Sequence, residues 1–239
     1  MATSRLLEWD KSGEKFYETG VDRGVLYPTK ATGADADDYS FTGGVVWNGL
    51  TSVTESPSGA EANDIYADNV LYASLRSAEK FGGTIEAYMY PDEFANCNGE
   101  KVDSNIPGVS VGQQARDKFG FSYRSDVGES EDGSIDTEND YKLHLWYNCT
   151  AAPSERQYQT INDSPEAITM SWEISTIPVN VTDGYKPTAL IVIDSRKADP
   201  ACLAALEAEL YGTTTGGESP TEVQAKLPTP AKVLTLMTP

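Results

Sequence analysis

A chain with a single histidine has few routes to acid–base or nucleophilic chemistry, and here that residue is His144. A Ser-His-Asp relay would have to use it, and no G-x-S-x-G elbow is present to expose a serine. His144 lies in an alternating run on the face shared by Lys142, Trp146 and Asn148, which points to a surface or interface position. Cys149 follows five residues later, so strict alternation sets it on the opposite face, a poor start for a Cys-His pair. Cys97 and Cys202 are distant and no CxxC pair occurs. The three cysteines therefore read as free thiols rather than as a zinc site or a disulfide framework.

Two acidic stretches supply oxygen ligands that suit calcium. The first holds Asp35, Asp37 and Asp38; the second holds Glu129, Glu131, Asp132, Asp136, Glu138 and Asp140. Neither fits the EF-hand spacing with glycine at its sixth position, so no metal is expected. No G-x-G-x-x-G or P-loop lysine motif supports a nucleotide, and no cofactor is expected. Paired carboxylates for glycoside hydrolysis stay open in a chain with 37 acids. Trp47, Trp146, Trp172 and the 13 tyrosines could line a sugar groove, although such aromatics more often fill a core or an interface. A β-sandwich carbohydrate-binding protein or glycosidase is thus one functional class to weigh.

The elements that must position these residues are mostly strands. Residues 1–20 read as a flexible or strand-swapping arm, 20–28 as a short extended piece and 29–38 as a polar loop. A strand over 39–50 ends in the Trp47-Asn48-Gly49-Leu50 turn, and a loop follows over 54–64. Ala67-Asp68-Asn69 predicts a tight hairpin between two apolar runs. Over 84–90, Ile85, Ala87 and Met89 share one face and Glu86 the other. Pro91 opens a helical first turn that Gly99 stops.

Further strands are expected over 118–123, 141–149, 167–177 and 189–193, with an acidic loop over 125–140. In the second of these, Tyr141, Leu143, Leu145 and Tyr147 share a face. The continuously apolar 189–193 run reads as a central strand covered on both sides. Asp199 as N-cap, Pro200 behind it and Gly212 at the far end predict a helix over 199–211. The Thr/Gly/Pro-rich 213–239 segment reads as an extended C-terminal arm, with Val233–Met237 either adding a strand to a neighbour or fraying. The expected fold is mainly β, a sandwich or barrel over residues 1–212 with one flanking helix and long extended arms.

Charge limits the partners. The formal net charge is −19, and no basic residue separates Lys30 from Arg76. This is the opposite of a nucleic-acid footprint. It fits either a solvated acidic surface or one that faces DNA without gripping it. No run of 18 apolar residues is present for a membrane helix. The first 20 residues are charged and lack the apolar stretch of a secretory signal, so the chain is expected to stay where it is made.

An ordered set of motifs resembles the major tail (tail tube) proteins of siphophages that infect Gram-positive bacteria. It comprises GVDRGVLYP (20–28), GVVWNGLTSV (44–53), IYADN (65–69), TIEAYMYPDEFANCNG (84–99), FGFSYRS (119–125) and LPTP (227–230). The resemblance implies a non-enzymatic virion protein: hexameric rings stacked into a hollow tube, assembled in the host cytoplasm, through which phage DNA passes. It implies the tape measure protein, the tail terminator and the distal tail protein as partners, and no membrane. Some members carry an added immunoglobulin-like domain; this sequence ends at Pro239 without one, so no role through that domain is implied. Glu86 is then the candidate lumen acid, repelling phosphates, and the two acidic stretches are candidates for ring stacking or outer decoration. The same subunit in a phage-tail-like bacteriocin is the nearest alternative.

Overall fold

A computed structural model describes residues 15–31, 39–103, 106–129, 140–161, 167–182, 184–215 and 221–238. In chain order its strands are β1 (Phe16–Ala31), β2 (Tyr39–Thr42), β3 (Val45–Val46), β4 (Leu50–Glu55), β5 (Ala62–Ala67), β6 (Val70–Arg76) and β7 (Gly82–Ala87). A 3-10 turn at Asp92–Phe94 precedes β8 (Lys101–Val102), β9 (Ser110–Val111), β10 (Phe119–Glu129), β11 (Tyr141–Ala151), β12 (Met170–Thr176) and β13 (Leu190–Asp194). Helix α1 (Pro200–Tyr211), β14 (Thr213–Thr215), β15 (Thr221–Val223), β16 (Lys226–Leu227) and α2 (Pro230–Leu236) complete it. The fold is mainly β, as the alternating pattern predicts.

The main antiparallel sheet runs β1-β10-β11-β12-β7-β4, and β3 pairs back onto β1. Because β3 and β4 are nearly continuous in the chain, this connection curls the sheet into a barrel. The Trp47-Asn48-Gly49 corner makes the crossing: Trp47 N–H donates to the Gly24 carbonyl of β1, and Tyr88 N–H donates to Gly49. Gly49 adopts φ +83°, which a side chain disfavours. The expected 39–50 strand is therefore broken, because the chain must change partners there. Long β1 carries two register shifts, near Gly20 and Arg23, and such bulges bend and twist a strand.

Two cores result. Inside the barrel lie Leu26, Trp47, Ile85, Phe94, Phe119, Phe121, Trp146 and Trp172, packed mainly edge-to-face. Outside the β1-β10-β11 wall, Val25, Tyr27, Leu143, Leu145 and Tyr147 meet Leu203, Leu206 and Leu210 of α1. The tyrosines also anchor this second layer. Tyr27 donates to the Leu210 carbonyl (3.0 Å), Tyr147 to the Pro228 carbonyl (3.0 Å) and Tyr141 to Glu207 (2.6 Å). Asp199 caps α1 by accepting from the N–H groups of Ala201 and Cys202, as the sequence predicts.

Several boundaries differ from expectation. β1 begins at Phe16, inside the expected arm, and β10 continues through residues 125–129, which read as loop. Charged side chains obscured both, since a strand tolerates them where one face meets water. β13 pairs only with β11 among the described residues, and Val192 is 44% exposed, so this strand is an edge rather than a covered centre. Met89 lies past the end of β7 and is exposed, while Ile85 and Ala87 are buried. The C-terminal segment is not an extended arm throughout. β16 pairs with β2, and residues 233–236 are helical, with Val233 buried against the α1 layer. Pro230 at the first helical turn fits that outcome.

Candidate functional site

The β5–β6 hairpin follows directly from its sequence. Asp68 and Asn69 both adopt positive φ (51° and 64°), the geometry of a two-residue turn that matches strand twist. Among the described residues the two strands pair only with each other. No residue from 62 to 76 is buried; only Ala67 and Ala73 are half-buried. Yet this hairpin presents Ile65, Tyr66, Val70, Leu71, Tyr72 and Leu75, with Tyr72 75% and Tyr66 68% exposed. The pairs Asn63↔Leu75, Ile65↔Ala73 and Ala67↔Val70 fall on one face by register, so that face is almost wholly apolar. An isolated two-stranded ribbon is marginal in water, and a contiguous exposed apolar face marks an interaction surface.

The hairpin's root is a second feature, and there the sequence reading is corrected. His144 is 8% exposed and faces the barrel interior, not solvent. β11 is covered on both sides, by the α1 layer and by the barrel core, which alternation alone does not reveal. His144 stacks on Tyr123 with centroids 4.5 Å apart. Its Nδ1 lies 2.9 Å from Glu55 Oε1, and its Nε2 lies 3.1 Å from Ser125 Oγ. The same Glu55 oxygen accepts from Tyr123 Oη (2.9 Å) and Trp146 Nε1 (3.3 Å). Burial pushes the Glu55 carboxyl up, but its bonds to His144, Tyr123 and Trp146 outweigh that and hold it below its ordinary value. Tyr123, beside this carboxylate and buried, is pushed far above the usual phenol range.

Ser125–His144–Glu55 has the bond order of a hydrolytic triad, but Ser125 is buried and sits in a regular strand ladder opposite Lys142. A nucleophile needs an approach path and an oxyanion site. Glu55, His144, Tyr123, Ser125 and Trp146 thus form one connected polar cluster. Cys149 also faces the interior, against expectation, because Asn148 (φ 50°) forms a bulge that resets the alternation. Burial pushes the Cys97 thiol up to about 12 and Cys149 well above its ordinary value, so both stay protonated.

The remaining sequence candidates separate. Trp47 is buried and donates from Nε1 to the Met89 carbonyl (3.0 Å); with Asn48, Gly49 and Leu50 it forms the barrel-closing corner. Glu86 lies on the outer face of β7, half-buried, where it accepts from Ser52 Oγ at 2.7 Å. Ser52, Ser171 and Glu173 on the neighbouring strands extend that polar face. Glu129 ends β10 opposite Phe16 rather than lying in a loop, and the Asp140 carbonyl accepts from Val127 N–H at 2.8 Å. Asp35, Asp37, Asp38, Glu131, Asp132, Asp136 and Glu138 lie outside the described residues. Among the described residues, no three His, Cys, Asp or Glu side chains converge as metal ligands, and no helix is long and apolar enough to cross a membrane. An open groove of about 490 Å³ lies between the hairpin root and β12, lined by Ser56, Lys80, Phe81, Gly83 and Glu173.

Sequence reasoning missed Glu55, because Ser56, Pro57 and Gly59 drew the preceding strand residues into a predicted loop. No single-sequence signal links it to His144. Comparison with protein-family models returns no match for this chain, and comparison with curated proteins returns none.

Proposed function

We propose that this chain is a structural virion protein, the major tail tube subunit of a siphophage, which self-assembles as stacked hexameric rings into a hollow tube that conducts DNA. The observation that carries the reading is the β5–β6 hairpin. It exposes six large apolar side chains and buries none, so it is built to be covered by another chain. Two further features support this. Among the described residues β13 pairs on one side only, and the sheet edge this leaves suits pairing with a neighbouring copy. The net charge of −19 suits a conduit that must not hold phosphates, with Glu86 on an outward polar face as the candidate lumen acid. On this reading the tape measure protein, the tail terminator and the distal tail protein are partners, and the tube forms in the host cytoplasm.

Negative-stain electron microscopy over a concentration series tests the reading. Hollow rings or tubes are expected, alone or after adding tail-tip and tape measure proteins. Single compact particles under every one of these conditions would remove the proposal.

A further inference from the structure

We propose that Glu55 is a proton-sensitive latch that fixes the direction in which the β5–β6 hairpin leaves the barrel, and so sets the readiness of that hairpin to meet a second copy. Only the last consequence rests on the assembly reading; the latch itself is a property of one chain.

The hairpin leaves β4 and returns into β7 through two limbs. Ser56 N–H donates to Gly82, and Ser58 and Lys80 exchange both backbone bonds, so the limbs form a short paired stalk. Both limbs converge on Trp146. From the outgoing limb, Glu55 accepts the indole N–H; from the returning limb, Phe81 meets the indole ring edge-on at 5.1 Å. Gly83 allows this approach, since a Cβ there would lie 2.5 Å from the Trp146 ring. Thr176 of β12 also holds the returning limb, donating to the Phe81 carbonyl at 2.6 Å. On the outgoing limb the ties from the Glu55 side chain run to β10 and β11 and all end on one carboxylate oxygen.

The facing groups decide which proton matters. β11 presents His144, with Lys142 one step along taken up by Glu18 of β1; β10 presents Tyr123 and Ser125; Lys80 and Glu173 line the groove outside. His144 keeps both bonds in either charge state. Neutral, it donates from Nδ1 to Glu55 and accepts the Ser125 hydroxyl at Nε2; protonated, it donates from both and the hydroxyl turns. Protonating Glu55, by contrast, removes the charge at which three donors point, and charge-assisted bonds are about twice as strong as neutral ones. The Glu55 carboxyl lies below its ordinary value in the fold. Its contribution is therefore complete above the unfolded carboxylate pKa and is lost as pH falls through the lowered folded value.

Hydrogen exchange on the full-length chain, at a concentration where it is monomeric and with intrinsic rates corrected, reads the latch directly. Glu55→Gln keeps volume and a carbonyl acceptor but not the charge. Exchange at residues 54–58 and 80–83 should rise by about tenfold in this variant, with residues 143–147 and 203–210 unchanged. Acidified wild type should show the same local loss, and Glu55→Gln should show little further response to acid. Root protection equal to wild type in the variant, or an undiminished acid response, overturns the proposal. Should Glu55→Gln lose protection throughout, Tyr123→Phe decides, since it removes one donor and leaves the charge. A smaller rise confined to the root supports the latch, and an unchanged root rejects it. Failure of the wild type to assemble would count against the assembly reading alone, since the exchange experiment is made on monomer.

Discussion

The β10–β11 wall and the β5–β6 hairpin draw on the same residue types, aromatic and β-branched, in the same alternating antiparallel geometry. They end in opposite environments. β11 is buried on both faces, one against the barrel core and one against α1, while the hairpin buries nothing. The difference lies in what the chain supplies to cover each surface. Helix α1, α2 and the barrel interior cover the wall; for the hairpin the described chain supplies no cover, and the strands leave the body through a two-limbed stalk. Apolar content therefore does not identify a core residue here. Apolar content together with an intramolecular lid does.

Substitutions in the barrel body and in the hairpin should be felt very differently. Trp47→Ala empties the corner where the barrel closes, against Phe94, Phe121 and Trp172, and should cost about 3–5 kcal/mol in denaturant unfolding. Gly83→Ala would set a Cβ 2.5 Å from Trp146 and 2.4 Å from the Thr54 carbonyl. Backbone on one side and a packed ring on the other cannot both yield, and a loss of about 1–3 kcal/mol is expected by the same measurement. Asp199→Ala removes the cap of α1 and should cost about 1 kcal/mol, lowering helical signal on partial unfolding. Val70→Ser with Leu75→Ser should shift monomer stability by no more than about 0.5 kcal/mol each, since neither side chain is buried. Comparable large losses from the hairpin and the corner would erase the distinction.

The legible parts were those governed by local chemistry. Ala67-Asp68-Asn69 predicted the hairpin turn, Asp199-Pro200 predicted the start of α1, and alternation placed Tyr141, Leu143, Leu145 and Tyr147 on one face. Illegible parts depended on distant partners. Alternation gave the face of His144 but not its cover, and the Glu55–His144 bond spans 89 positions. Asn148 has no apolar signature, yet its positive φ shifts Cys149 to the interior. Val233–Leu236 has β-like composition, and it is helical because Pro230 starts a turn whose Val233 packs on the α1 layer. Tertiary burial overrode propensity there.

Under the proposed assembly the hairpin meets a second copy of the chain. Sedimentation velocity of the wild type and of the Val70→Ser/Leu75→Ser variant, both first shown to be folded, tests it most directly. Concentration-dependent growth of the wild type into rings or longer assemblies is expected, with a variant that stays monomeric at the same concentrations. Equal assembly of both proteins would contradict it.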